Sequence, residues 1–136
     1  MISTLEIIDV LYELIKVSDL KTAVNGGLYK NNYRPLNSRT EDIVINCLPT
    51  SGTQLQTASA NVNIYVPDIK FRAAGNDQCQ SDFTRLKTLA SLAIALLEEV
   101  SMPGYHIKIV SQDMFKEAEI EQHFINIRIE FKTFNH

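Results

Sequence analysis

The chain has 136 residues, of which 45% are hydrophobic and 21% charged, with a formal net charge of −3 and a mean hydropathy near zero. Those values suit one domain, residues 1–136, whose core needs no disulfide or metal; they exclude a disordered chain and a membrane-spanning helix, and argue against a dedicated nucleic-acid binder. Cys47 and Cys79 have no CxxC or Cys-His spacing, so Cys47 reads as a core thiol, and the opening Met-Ile-Ser-Thr-Leu-Glu lacks the basic flank and apolar run of a secretory signal, which predicts a cytosolic protein.

Ser3 and Glu6 have the spacing of a capping box, and Leu5, Ile8, Leu11 and Ile15, with Ile7 and Leu14, recur at three- and four-residue steps. The spacing predicts a helix from about Thr4 to Val17. Ser18 and Asp19 open a short helical turn over Leu20 to Val24, which Asn25-Gly26-Gly27 stops. Asn31-Asn32, Pro35 and Asn37-Ser38 then predict an irregular arm, about 25–41. Ile43 to Leu48 reads as a short strand ended by Pro49, with a turn at Thr50-Ser51-Gly52-Thr53 leading to an antiparallel partner.

That partner is the clearest strand in the chain. From Gln54 to Asp68, Ala58, Ala60, Val62, Ile64 and Val66 alternate with Ser59, Asn61, Asn63 and Tyr65, giving one packed face and one wet face, until Pro67 ends the ladder. Ala73 to Gln80 is polar and carries a glycine, and reads as a surface loop. Ser81 or Asp82 caps a second helix whose apolar face runs from Phe83 through Leu86, Leu89, Ala93 and Leu97 to Val100, and Pro103-Gly104 terminates it. Tyr105 to Val110 is a strand. After an acidic turn, Ile125, Ile127, Ile129 and Phe131 alternate against Asn126, Arg128, Glu130 and Lys132 as the last strand.

The order α-β-β-α-β-β predicts an α+β fold: a two-layer sandwich in which an antiparallel four-stranded sheet carries two main helices on one face. The other face, with Asn61, Asn63, Tyr65, His106, Lys108, Arg128 and Glu130, is left to solvent or to a partner. A wet face rich in Asn and Ser suits protein contact better than chemistry.

Charge is unevenly distributed. Lys21, Lys30, Arg34 and Arg39 fall in a stretch without acidic residues between Asp19 and Glu41, while Asp113, Glu117, Glu119 and Glu121 face only Lys116. Such segments are either solvated loops or surfaces that meet on neighbouring subunits of a ring, and on the second reading Lys30, Arg34, Arg39, Asp113, Glu117 and Glu119 are the candidate subunit-interface residues.

Catalytic patterns are sparse. Asp68-Ile69-Lys70 has the Asp-x-Lys spacing of a metal-dependent nuclease, in which Asp42 would supply the second carboxylate and Lys70 would steady the attacked phosphate. The alternative is a solvated loop lysine. His106 and His123 lie on different strands with no nucleophile elbow nearby, and Asn25-Gly26-Gly27-Leu28 ends a helix where a phosphate cradle would begin one. Neither a catalytic residue nor a cofactor is expected.

Gly26-Gly27-Leu28-Tyr29 with Arg34-Pro35, then Glu41-Asp42-Ile43-Val44-Ile45-Asn46, then Val62-Asn63-Ile64-Tyr65-Val66-Pro67-Asp68, set behind the opening helix, resembles the tail terminator, or tail-completion, proteins of tailed phages. The likeness runs nearly the full length of the chain. It implies a small α+β structural protein, not an enzyme, that forms a homohexameric ring, caps the tail tube and offers the docking surface for the head-tail connector protein. It further implies residence in the virion and, during assembly, in the bacterial host cytoplasm. Non-specific contact between the basic arm and DNA in the ring lumen is an additional expectation, salt dependent as all phosphate contact is. Another head-tail connector subunit of similar fold is the runner-up.

Overall fold

The computed structural model describes residues 3–48 and 55–134. Helix α1 (Thr4–Lys16) begins where the Ser3 side chain accepts the Glu6 amide, and α2 (Asp19–Ala23) begins where Ser18 accepts that of Lys21. The third helix, α3 (Phe83–Leu97), is capped by Asp82, which accepts the Arg85 amide at 3.2 Å. None of these helices is long and apolar enough to cross a membrane.

The strands are β1 (Leu28–Lys30), β2 (Asp42–Cys47), β3 (Leu55–Pro67), β4 (Ile69–Ala73), β5 (Asn76–Gln80), β6 (Glu99–Met102), β7 (Tyr105–Glu117) and β8 (Gln122–Phe134). Six of them form one curled, half-barrel sheet in the order β1-β2-β3-β8-β7-β6, with β1 parallel to β2 and every other pair antiparallel. Strands β4 and β5 form a separate two-stranded hairpin. An irregularity between Ile109 and Ser111 breaks the β7–β8 register, and an extra residue of that kind sharpens the local twist of a long strand pair.

The core lies between the sheet and the helices. Ile7, Ile8, Leu11 and Ile15 of α1 and Leu86, Leu89, Ala93 and Leu97 of α3 pack against Ile43, Ile45, Val62, Ile64, Ile107, Ile127, Ile129 and Phe131. Phe131 stacks on Tyr105 with ring centroids 5.1 Å apart. The alternation read from residues 58–66 therefore faces the way the sequence predicts, with Asn61, Asn63 and Tyr65 on the opposite side.

The expected four-stranded antiparallel sheet under two helices, in the order α-β-β-α-β-β, is overturned. The described residues hold eight strands and three helices, and the main sheet is six-stranded and mixed. The discrepancy arises in four places. The irregular arm contains β1, three residues too short to show a period. The polar loop at 73–80 is half of the β4–β5 hairpin, whose two-residue turn puts Ala74 (φ 51°) and Gly75 (φ 80°) in the left-handed region that a tight hairpin turn demands. An alanine there conceals the turn signal.

Val100 fits the helical spacing after Leu96 and Leu97 but belongs to β6, so Pro103-Gly104 makes a hairpin turn and does not end a helix. Finally, the acidic turn is mostly strand. Strand β7 runs on to Glu117, and only the 3-10 turn Ala118–Ile120 and Glu121 separate it from β8. The expected turn at 50–53 and its Pro49 lie outside the described residues.

Phe131 is fully buried, whereas Leu36 in the arm is 92% exposed. Phe131→Ala should cost about 3–5 kcal/mol through lost transfer energy and the cavity left behind, and Leu36→Ala should change stability little; urea denaturation of both variants checks the contrast.

Candidate functional site

Residues 25–42 are held together by two polar networks. Glu41 and Asp42 are adjacent and both buried, and because neighbouring residues of an extended chain point to opposite faces they serve two different networks. Glu41 turns to the helix side. Arg85 of α3 grips its carboxylate with Nε at 2.5 Å and Nη2 at 2.9 Å, and the same Nη2 donates to the Ala23 carbonyl at the end of α2. Asn25 closes the network, its side-chain oxygen accepting the Glu41 amide at 2.8 Å while its own amide donates to Glu41 Oε1 at 3.2 Å.

Asp42 turns to the open face. Its Oδ1 accepts the Gly27 amide at 2.8 Å and the Thr40 hydroxyl at 2.9 Å, and its Oδ2 accepts Arg34 Nε at 2.8 Å and the Ser38 hydroxyl. Arg34 Nη2 also donates to Gln122 Oε1 at 2.8 Å, Gln122 donates to the Ser38 carbonyl at 2.8 Å, and the guanidinium lies 4.1 Å above the Tyr65 ring. Gly26 has no room for a side chain, since a Cβ would collide with Asp42 Oδ1, the Glu41 carbonyl and Thr40 Oγ1. Burial pushes the Asp42 carboxyl up, but hydrogen bonds from Ser38, Gly27, Arg34 and Thr40 outweigh it and hold the pKa below the ordinary carboxylate value.

The charged segments meet inside one chain. Arg34 reaches Gln122, and Arg39 donates to the Ile120 carbonyl, so the basic arm is laid against its own β7–β8 turn. Lys30 pairs with Asp9 at 2.6 Å and lies over the Tyr12 ring, tying β1 to α1. Arg34 is thereby spent on the fold and is not a free interface donor, and Lys30 and Arg39 also have partners in their own chain. The acidic candidates differ: Asp113 and Glu119 are exposed, on β7 and on the 3-10 turn, and Glu117 is half-buried near Tyr65 at the end of β7.

The nuclease residues do not converge. Asp42 pairs in register with Tyr65, while Asp68 accepts His123 Nδ1 at 2.6 Å and His123 pairs with Val66, so the two carboxylates serve opposite faces of the sheet. Lys70 pairs with Glu121 at 3.0 Å. All four donors on Asp42 would have to be displaced before it could take another ligand, and among the described residues no three His, Cys, Asp or Glu side chains cluster as a metal set.

What the outer face offers instead is a ladder of amides. Asn61 donates to Asn46 at 2.8 Å, Asn126 donates to Asn61 at 3.1 Å and to Asn63 at 2.7 Å, and Arg128 donates to Asn61 at 3.2 Å. Beside it run Tyr65, Phe124 and Phe115, with centroid spacings of 4.9 and 5.4 Å. The outer-face residues read from the sequence are thus on one surface, knit across β2, β3 and β8. Sequence reasoning passed over Arg85 and Gln122 and gave Glu41 no partner; these roles become visible only when α3 and β8 are brought to the arm.

Removing one partner of a buried ion pair leaves the other stranded, at about 3–5 kcal/mol, so Asp42→Ala should destabilise the fold by about 3 kcal/mol in chemical denaturation. Because the folded pKa of Asp42 lies below its unfolded value, its contribution is present above the unfolded pKa and is lost as pH falls through the folded one. Asp42→Asn should remove that part of the acid dependence, read from unfolding midpoints across the acid range.

Compared with protein-family models the chain gives no match, and compared with curated proteins it gives none either.

Proposed function

We propose that this chain is a structural subunit of a phage or prophage virion: a tail terminator that forms a homohexameric ring, caps the tail tube and joins it to the head-tail connector. The observation that carries this reading is the convergence of the phrases behind the resemblance. Gly26, Gly27, Arg34, Glu41, Asp42 and Tyr65 are scattered over forty positions of sequence, yet Gly27, Arg34 and Asp42 meet in one network that also covers Tyr65, with Gly26 against it and Glu41 anchoring the same strand on the far side.

The outer sheet face supports the same reading. Its amides are hydrogen-bonded to one another across three strands, which stiffens a surface suited to protein contact. Arg34 and Arg39 are engaged within the chain, so DNA contact in the lumen is not part of the proposal.

Light scattering across a wide concentration range, with and without the cognate tail tube protein, tests the assignment together with negative-stain imaging of the largest species. A closed ring of six that binds the end of the tube is expected. A particle that remains monomeric under both conditions rejects it.

A further inference from the structure

Two parts of the surface are left incomplete by the single chain. The first is the outer edge of β7. Strand β6 pairs only with Tyr105–Lys108, so among the described residues positions 110–117 have a strand neighbour on one side alone, and Val110 to Lys116 are exposed without interruption. A long open edge of this kind is a template for an added strand. The second is the β4–β5 hairpin, which stands apart from the main sheet and is exposed along its length apart from a half-buried Ala73. Ile69 and Phe71 are 42% and 37% exposed there, in a two-stranded unit that has little stability of its own.

The two parts match in chemistry. Along β4, Ile69 and Phe71 lie on one face and Lys70 and Arg72 on the other. Along β7, the register with β8 puts Met114 beside Ile125 on the helix side, and Asp113 and Glu117 on the open side beside Asn126 and Gln122. On the helix side, next to the open edge, a largely apolar groove of about 310 Å³ is lined by Phe83, Leu86, Ala90, Met114 and Ile125, together with Lys87, Gln112 and part of Asp113. A strand laid along β7 with its apolar face over that groove carries its alternate residues to the side of Asp113 and Glu117. On β4 those alternate residues are Lys70 and Arg72.

We propose that β4 of one copy adds to the free edge of β7 of a second copy, with Ile69 and Phe71 over the Phe83–Met114 groove and Lys70 and Arg72 beside Asp113 and Glu117. The contact rests on the ring-forming reading above and names its subunit interface. Donor and acceptor are different patches of the same chain, so the contact is head-to-tail and can repeat until a ring closes. Lys70 and Arg72 now pair with Glu121 at 3.0 Å and Asp77 at 3.6 Å, and such exposed pairs exchange at little cost.

Two measurements test the contact. In the parent protein, hydrogen exchange is compared between the dilute monomer and the assembled form. Slowed exchange is expected at 69–73 and 110–117, and an assembled form with both segments unprotected overturns the contact while leaving the ring itself standing. Charge-swap mixing is the second. Lys70→Glu with Arg72→Glu, and separately Asp113→Lys with Glu117→Lys, should each give a folded monomer, checked by circular dichroism, at concentrations where the parent assembles.

Mixed in equal amounts, the two variants restore complementary charge at every junction and should recover the parent's mass. Either variant assembling alone as the parent does, or a mixture that stays monomeric, rejects the pairing. A parent that never associates rejects both the contact and the ring.

Discussion

Two neighbouring carboxylates, Glu41 and Asp42, hold this molecule together at the point where the arm becomes sheet. Each is buried, each is answered by an arginine, and they point to opposite faces of the sheet where β2 begins. A buried carboxylate is tolerated only where its partners replace the water it lost. Here those partners come from other parts of the chain: Arg85 from α3, itself held by the Ala23 carbonyl; Asn25 from just beyond α2; and Arg34 from the arm, itself held by Gln122 of β8. Polar geometry at one strand end therefore ties the arm, the helix layer and the sheet together, in addition to the packing of the apolar core that supplies most of the driving force.

Where the core imprints its period on the chain, the sequence can be read. The alternation in β3 and β8, the apolar stripe of α1 and the capping residues Ser3, Ser18 and Asp82 all report local geometry, and the structure places them accordingly. Strand β7 beyond Val110 could not be read in this way, because both of its faces are largely exposed in the single chain and no core imprints a period on it. Val100 misled for the opposite reason, since one apolar residue after a helix fits helical spacing as well as it fits β6. Of the site, Asp42 and Arg34 were legible as residue types but not as partners. Glu41 with Arg85 spans 44 positions, a pairing that no local pattern encodes.

The amide ladder on the outer face bears on the proposal that this polar sheet surface takes part in assembly. A charged surface loses its hydration when it is covered, and that loss offsets much of the contact energy. The side-chain carbonyls of Asn46, Asn61 and Asn63 and the side-chain amides of Asn61 and Asn126 already have partners within the chain, so a partner can cover those groups without stranding them. The neighbouring rings of Tyr65, Phe124 and Phe115 add apolar area of the kind that anchors protein contacts.

The β4–β5 hairpin projects, but its root is fixed. The Asp68 amide donates to the Glu121 carbonyl at 2.9 Å, Asp68 holds His123, Lys70 holds Glu121, and Arg39 of the arm holds Ile120 in the same turn. The hairpin is thus aimed by the turn, and the turn is steadied by the arm. An arm that looks like loop in sequence acts as the brace of a lever, setting the angle at which the projection leaves the body. In the contact proposed above, association would start from a projection already oriented, and the entropy of orienting it would be lost during folding, not at the moment of contact.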